Sequence, residues 1–207
     1  MFIEKIKSTY KVAEPILLPD IFKLFKKISK PYIYKLLKKA ESDGELIKYS
    51  RGVYYLPGES CFGFASISAD EIVNYKYIKN KNGVCGVYSG LMLLNQFEVT
   101  TQVPNTFEIV TNNESSRKRD ICLDGSKYTI RRSRFEINKE NFTYYVVLQL
   151  FYELGCTLTL NKTSLKIVKE YITENNIQKD KLINLAMSFP AQTLKNLIRS
   201  EVLHGTI

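Results

Sequence analysis

Residues 28 to 57 carry the pattern that most restricts how this chain folds. Four apolar side chains in it follow the i, i+3, i+4, i+7 spacing of one helix face: Ile33, Leu36, Leu37 and Ala40. Asp43-Gly44 then ends the predicted helix, because glycine readily adopts the left-handed cap conformation. Two β-prone segments, 45–49 and 53–56, flank Ser50-Arg51-Gly52 and predict a hairpin.

A second helix is predicted just before this one. Its apolar positions have the same spacing and are Ile21, Leu24, Phe25 and Ile28. Asp20 is its candidate N-cap, and Pro31 suits the first turn of the following helix, where no intrahelical donor is lost. A further short helix is predicted around Ile3 and Ile6. Two short helices joined by a tight turn and followed by a hairpin are typical of a winged helix-turn-helix, a DNA-binding module.

The outward face of the second helix in this pair is rich in lysine. A helical projection places Lys35 and Lys38 opposite the apolar side. Lysine contacts phosphates, and tyrosine contacts phosphates or base edges. The predicted DNA-binding residues of the helix and hairpin are Lys30, Tyr32, Tyr34, Lys35, Lys38, Lys39, Lys48 and Arg51. The outward face has no Arg, Asn or Gln, which are the usual bidentate base readers, so the sequence assigns no base-reading residue.

The net charge of the chain is concentrated near its N-terminus. The formal net charge is +9, and residues 1–57 contain 12 Lys and Arg against 6 Asp and Glu. About two-thirds of the excess therefore lies in the first quarter of the chain. A concentrated basic surface attracts polyanions such as nucleic acid. The competing interpretation is that the lysines form solvated helix faces, and the helix-turn-helix pattern favours DNA binding over it.

The thiols, histidine and carboxylates do not form a metal or catalytic motif. Cysteine occurs at positions 61, 85, 122 and 156 without a CxxC pair, and His204 is the single histidine. We therefore expect no metal site, no disulfide framework and no cofactor. A metal nuclease needs clustered carboxylates, and the nearest candidates are Glu98, Glu108, Asp120 and Asp124. We expect no catalytic residues and no enzyme activity; a nucleic-acid-processing enzyme with a winged helix is the less favoured alternative.

The hydropathy of the chain excludes a membrane span. No apolar run approaches the ~20 residues that cross a bilayer, and residues 1–11 lack the apolar core of a signal peptide. We therefore expect a cytoplasmic protein without a membrane partner.

Residues 58–207 predict a larger α+β domain, in which helices cover a small antiparallel sheet. Residues 83–97 are small and apolar and predict a buried helix that packs closely through Gly86 and Gly90. Asp124-Gly125 is a two-residue hairpin signal between two predicted strands. The other predicted strand is 106–111, and the later helices are 142–154, 165–172, 182–189 and 194–202.

A second basic cluster is expected on that hairpin. Its members lie at the start of one arm and the end of the other, and they are Arg117, Lys118, Arg119, Arg131, Arg132 and Arg134. Antiparallel pairing brings the two trios together. Such a cluster attracts a DNA backbone, RNA or an acidic partner surface, or it is an exposed charged edge that prevents sheet-to-sheet aggregation.

Two motifs resemble a known family. Gly44, Leu46 and Ile47, followed by Arg51-Gly52-Val53-Tyr54-Tyr55 and Pro57, are similar to the wing of AbiEi-type antitoxins and related transcriptional regulators. Thr100-Thr101-Gln102-Val103-Pro104 is similar to a turn that follows a glycine-rich helix in that family. The resemblance covers about residues 10 to 150. Glu98-Val99 stands where the family has Gly-Leu, and the last 50 residues match no motif of the family.

The resemblance implies a two-domain antitoxin of a type IV toxin–antitoxin pair, which is linked to abortive infection by phage. Its winged helix would bind inverted repeats in double-stranded DNA and repress its own operon. Its C-terminal domain would counter a nucleotidyltransferase-like toxin. The alternatives are a stand-alone winged-helix regulator without a toxin and a C-terminal module that grips some other protein.

Overall fold

The structure, a computed structural model, describes residues 2–60 and 63–203, and for residues 59, 60, 63 and 64 it describes the backbone alone. Two units, Met1–Lys76 and Tyr77–Ile207, each contain helices and strands, which confirms the α+β class. The division falls after Lys76, whereas the sequence predicted it after Pro57. Residues beyond Pro57 belong with the N-terminal unit because Ile67 and Ile72 join Val53 and Tyr55 in one apolar cluster.

The N-terminal unit begins with a helix, a short strand and two further helices. A three-stranded antiparallel sheet with strand order β1-β3-β2 lies beside them. The elements are α1 Phe2–Thr9, β1 Ile16–Leu17, α2 Leu18–Leu24, α3 Lys30–Ser42, β2 Ile47–Ser50, β3 Val53–Tyr55, β4 Glu59–Ser60, β5 Gly63–Phe64 and α4 Ala69–Val73, which continues as a π-helical turn over Asn74–Ile78.

Helix α3 lies where the sequence predicted it. Ser29 is its N-cap in extended conformation, and Pro31 occupies its first turn. Asp43 is its C-cap, and Gly44 follows with φ of +70°, the left-handed conformation that favours glycine.

Helix α2 differs from the prediction at both ends. It begins directly after β1, so Asp20 lies in its first turn and is not its N-cap, and it ends at Leu24, with Phe25 as its C-cap and Ile28 beyond it. An acidic side chain in the first turn still interacts favourably with the helix dipole.

The core of the N-terminal unit is formed by one face of each helix and the sheet. The apolar face predicted for α3 is buried through Ile33, Leu37 and Ala40. These side chains pack in one cluster with Ile6 of α1 and Ile21 of α2. The opposite face of α3 is consequently free to face solvent.

The predicted hairpin forms between β2 and β3. Ile47 pairs with Tyr55 and Lys48 with Tyr54, and an irregularity precedes the final pair between Ser50 and Val53. Gly52 has φ of +80° in the turn. The Leu18 N–H donates to the Gly52 carbonyl at 2.9 Å, so the tip of the hairpin is held beside the start of α2.

The C-terminal unit is built on a four-stranded sheet with strand order β10-β11-β9-β8, followed by helices. The elements are β6 Lys79–Asn80, β7 Gly83–Val84, β8 Gly86–Ser89, α5 Gly90–Gln96, β9 Phe107–Thr111, β10 Lys118–Leu123, β11 Ser126–Arg132, α6 Phe142–Glu153, α7 Lys162–Glu174, α8 Lys179–Ala186 and α9 Ala191–Arg199. Asp124-Gly125 forms the predicted turn, since Leu123 pairs with Ser126 across it.

The helix predicted over residues 83–97 was wrong in its first half. Gly86–Ser89 is strand β8, which pairs antiparallel with β9, and the helix begins only at Gly90. Gly86 lies where an added Cβ would press against the Tyr77 carbonyl and lie 2.7 Å from the Val110 carbonyl oxygen. The small residues of this segment therefore permit close approach of other backbones and not close packing of helices.

The sheet was predicted to be antiparallel and is mixed. β11 pairs with β9 in parallel, with Ile130 opposite Ile109, while its other neighbour β10 is antiparallel. The chain leaves β9, passes to β10 at the sheet edge and returns as β11 between them. Apolar periodicity does not distinguish this order from a simple meander, because both bury the same faces.

Helix α6 is the core helix that the sequence predicted. Tyr145, Val147, Leu148, Leu150 and Phe151 are fully buried in it. Gly155 follows the helix with φ of +56°. The rings of Tyr145 and Phe189 lie 5.4 Å apart, so α6 also anchors the chain between α8 and α9. No helix in the described part of the chain is long and apolar enough to span a bilayer.

Candidate nucleic-acid interface

The outward face of α3 is a row of exposed cations and rings. Lys30, Lys35, Lys38 and Lys39 are exposed, and about half of the surface of Tyr32 and Tyr34 is accessible. The face exists because Ile33, Leu37 and Ala40 hold the opposite side in the core. All the residues predicted on this helix are therefore available to a ligand.

A groove separates α3 from the hairpin of the N-terminal unit. It has a volume of about 540 Å³, and its lining residues are Tyr34, Leu37, Lys38, Glu41, Ser42, Lys48 and Tyr54. Lys48 and Tyr54 are register partners on β2 and β3. Burial, followed by the nearby Glu41 and Tyr34, raises the pKa of the Tyr54 hydroxyl, so this group stays a neutral donor. The groove thus brings predicted residues from the helix and the hairpin to one place.

Two predicted side chains of α3 contact the ring of Phe22. The Lys30 Nζ lies 5.3 Å from the centre of the Phe22 ring, within the range of a cation–π contact. The Tyr34 ring meets the same ring edge-on at 5.9 Å. These contacts orient two of the predicted residues without burying them. Arg51 is exposed at the hairpin turn.

The other flank of α3 carries lysines that the sequence interpretation did not select. A second groove of about 610 Å³ is lined by Phe2, Lys5, Lys23, Leu24, Phe25, Lys26, Lys27, Ile28, Tyr32 and Leu36. Lys26 and Lys27 are exposed directly after α2. The sequence feature that could have predicted them is the adjacent pair Lys26-Lys27, which comes just before the predicted turn. Cations consequently lie on both sides of α3.

Glu41 is the carboxylate in the groove beside the hairpin, and its removal provides a test of that groove. A negative charge near a phosphate opposes binding, so Glu41→Gln is expected to strengthen the binding of duplex DNA by about two- to fivefold at low salt. Fluorescence-anisotropy titration at 0.1 M salt measures the change. The control is Glu174→Gln, an exposed carboxylate on α7 of the C-terminal unit. Equal or weaker binding by the Glu41 variant would place the DNA away from this groove.

Five of the six cations in the second basic cluster line one cavity in the C-terminal unit. The cavity has a volume of about 620 Å³, and these cations are Arg117, Lys118, Arg131, Arg132 and Arg134. Lys118 and Arg131 are direct register partners on β10 and β11. The hairpin therefore brings the two groups together as the sequence predicted.

Arg119, the sixth member, lies apart from the other five. Its Nη2 is 2.7 Å from the Glu114 Oε2 and donates to the Tyr77 hydroxyl at 2.9 Å. These contacts hold the Arg119 guanidinium against Glu114 and Tyr77, and Arg119 is not among the residues that line the cavity. Burial raises the pKa of Glu114, but hydrogen bonds from Ser116 and the Arg119 charge outweigh it and hold that pKa below its ordinary value.

Two of the four carboxylates considered for catalysis have partners within the sheet. Glu108 pairs with Arg131 at 2.8 Å, and Asp120 accepts from the Thr129 hydroxyl at 2.6 Å. Asp124 lies in the β10–β11 turn with φ of +47°. Within residues 2–60 and 63–203, no three or more His, Cys, Asp or Glu side chains are grouped so as to hold a metal ion. His204 and Cys61 lie outside the described residues.

Thr100-Thr101-Gln102-Val103-Pro104 is an irregular segment between α5 and β9. The Asn95 side chain donates to the Gln102 carbonyl at 2.8 Å, which ties the segment to the end of α5. Val103 is 87% exposed. The segment therefore presents the apolar side chain of Val103 to solvent, and this exposure alone does not identify a ligand.

Neither a scan against protein-family models nor a search of curated proteins found a match to this chain. The resemblance to AbiEi-type antitoxins therefore rests on the quoted sequence motifs alone.

Proposed function

We propose that the N-terminal unit contains a winged helix-turn-helix that binds duplex DNA. The order α1-β1-α2-α3-β2-β3, with strand order β1-β3-β2, supports this assignment. In modules of this kind the second helix of the helix-turn-helix enters the major groove, and the hairpin lies beside it. Here these parts are α3 and the β2–β3 hairpin.

The observation that carries the proposal is the cationic outward face of α3. Lys35 and Lys38 lie opposite the buried side chains, and Lys48 lines the groove between α3 and the hairpin. The major groove of B-DNA, about 12 Å wide, admits an α-helix, which brings cations on the flanks of the helix close to the phosphates. Lys26 and Lys27 add charge on the other flank.

Phosphate contacts dominate this interface, and base readout is secondary. The lysines neutralise phosphates without reading sequence. Tyr34 is half-exposed beside the hairpin and is the α3 side chain best placed to meet a base edge or a phosphate there. Preference for a particular sequence therefore arises chiefly from groove shape and DNA deformability.

We further propose that the chain is a repressor of the AbiEi antitoxin type. The RGVYYLP segment, Arg51 to Pro57, and the Thr100–Pro104 turn support this reading through the family resemblance. The N-terminal unit would bind inverted repeats upstream of its own gene. The C-terminal unit would counter a nucleotidyltransferase-like toxin. A stand-alone regulator would have the same DNA interface and no toxin.

A duplex that carries the DNA upstream of the chain's own gene tests the DNA-binding function. The full chain is titrated against this duplex and against a shuffled duplex of equal length and composition. We expect tighter binding to the upstream duplex and weaker, salt-sensitive binding to the shuffled one. Absence of binding to both at 0.1 M salt would contradict the proposal.

Coexpression tests the antitoxin function. The adjacent reading frame is expressed alone and with the full chain, and cell growth is followed. We expect the reading frame alone to arrest growth and the chain to restore it. Growth unaffected by the adjacent reading frame would leave the stand-alone regulator as the correct function.

A further inference from the structure

The cavity between the β10–β11 hairpin and α6 has the dimensions of a ligand site. Its volume of about 620 Å³ falls within the roughly 300–1,000 Å³ of small-molecule pockets. Besides the five cations it is lined by Val110 and three α6 residues, Tyr145, Gln149 and Tyr152. It lies entirely within the C-terminal unit, remote in sequence from the proposed DNA-binding helix.

The cations of this cavity are only partly neutralised. Lys118 pairs with Asp120 at 3.6 Å and Arg131 with Glu108 at 2.8 Å. Among the described side chains, no carboxylate pairs with Arg117, Arg132 or Arg134. Lys118 and Arg131 are register partners, so Arg117 and Arg132, their immediate neighbours in sequence, lie at the same end of the hairpin. Three guanidinium charges thus surround one concavity.

The salt bridge to Glu108 holds Arg131 in position. The Glu108 carboxylate lies close to Gly90, because a Cβ atom added at that glycine would be only 3.0 Å from it. Gly90 has φ of +58° at the start of α5. The Arg131 Nε is buried and has no hydrogen-bond acceptor among the described residues.

Arg134 is held by rings, and its charge stays available. Its guanidinium lies 4.6 Å from the centre of the Tyr152 ring and 5.1 Å from that of Phe189. Its backbone N–H donates to the Tyr145 hydroxyl at 3.0 Å. A cation–π contact orients a guanidinium without neutralising it.

The α6 wall of the cavity is also fixed. The buried Gln149 donates to the Ser89 hydroxyl at 3.1 Å and to the Glu153 carboxylate at 2.7 Å. Ser89 donates to the same carboxylate oxygen at 2.7 Å. The Glu153 carboxylate thus accepts hydrogen bonds from two neutral groups, the Ser89 hydroxyl and the Gln149 amide. The wall is a preorganised surface, which lowers the entropic cost of ordering a ligand on it.

We propose that this cavity binds a compact polyanion, a small molecule that carries two or three linked phosphate groups. Guanidinium groups match phosphate oxygens in bidentate geometry. A single carboxylate brings one charge, whereas a chain of linked phosphates brings several into the volume that three unpaired arginines surround. A nucleoside polyphosphate and an inorganic polyphosphate share this chemistry. The inference goes beyond the proposed DNA-binding function and does not depend on it.

The test is isothermal titration of the full chain with inorganic triphosphate, ATP, GTP and orthophosphate. Arg117→Gln combined with Arg132→Gln removes two of the unpaired charges at exposed positions. The control is Lys195→Gln combined with Arg199→Gln on α9, which removes two exposed cations from the same unit. We expect triphosphate binding, weaker by about tenfold or more in the cavity variant and unchanged in the control. Circular dichroism confirms that both variants are folded.

Each outcome bears on the proposal. Equal affinities for triphosphate and the nucleotides indicate recognition of the phosphate chain alone, and tighter nucleotide binding indicates a base contact as well. Orthophosphate binding as tightly as triphosphate would overturn the proposal, as would equal losses in the two double variants. Binding of a 20-bp duplex that the cavity variant alone weakens, without any triphosphate binding, would reassign the cavity to a nucleic-acid backbone. Because no DNA enters the titrations of small molecules, their result is independent of the function proposed for α3.

Discussion

Replacing Lys35 and Lys38 together with alanine is expected to weaken the binding of duplex DNA by roughly 60-fold at 0.1 M salt. Each lost phosphate contact removes the release of about 0.9 counterion, which corresponds to roughly eightfold in affinity at that salt. The loss is expected on the upstream duplex and on a shuffled duplex alike, because phosphate contacts carry no sequence information. Anisotropy titration of both duplexes measures it.

The matched control for this pair is Lys162→Ala combined with Lys166→Ala. Both lysines are exposed on α7 of the C-terminal unit, so the change in net charge is the same. The control is expected to bind within about twofold of the unchanged chain, since an exposed charge that contacts no phosphate is largely screened by salt. An equal loss in both double variants would show that general charge and not the α3 face determines binding.

Gly86→Ala is expected to destabilise the C-terminal unit by about 3 kcal/mol or more, at the top of the range for added bulk in a packed interior. The new methyl group would meet the carbonyl oxygens of Tyr77 and Val110. Both are backbone atoms, so relief requires β8 to move away from β9. Hydrogen exchange of peptides covering β8 and β9 in the full chain measures the loss as faster amide exchange.

Gly125→Ala is the matched control for that variant. Nothing lies within 4 Å of an added Cβ at Gly125, and φ of +82° adds only the backbone strain of a left-handed residue, about 1 kcal/mol. Its exchange is expected to change only near the β10–β11 turn. If the amides of β8 and β9 in Gly86→Ala exchange as slowly as in the unchanged chain, the two carbonyl groups move aside without loss of stability. The close approach at Gly86 would then not constrain this position.

The helices were predictable wherever one face alone is apolar. Ile33, Leu37 and Ala40 repeat at helical spacing, and Pro31 and Gly44 mark the first turn and the end of α3. The β2–β3 and β10–β11 hairpins were also predictable from local sequence, because Arg51-Gly52 and Asp124-Gly125 are turn signals. These features depend on neighbours in sequence and so can be read from it.

The features that escaped prediction depend on distant parts of the chain. Gly86 and Val87 follow no period that separates a strand from a buried helix, and the pairing of β8 with β9 decides between them. The parallel pairing of β9 with β11 is set by where the chain crosses the sheet edge. Glu114 draws Arg119 away from its basic neighbours. The extent of the N-terminal unit is set by Ile67 and Ile72, which pack on Val53 and Tyr55.

The candidate site was predictable in its residues but not in its shape. The exposed lysines of α3 followed from the helical projection. Lys26 and Lys27 line the opposite groove only because the turn after α2 folds beside α3. The basic cavity likewise required the wall of α6, which no hairpin signal specifies.

The dependence of DNA affinity on salt tests the central claim, that the α3 face holds phosphates, most directly. The logarithm of the binding constant is measured against the logarithm of salt concentration for the unchanged chain and for the Lys35→Ala, Lys38→Ala double variant. Two lost contacts predict a slope shallower by about 1.8 on B-DNA. Identical slopes for the two proteins would contradict the assignment of this helix to the DNA backbone.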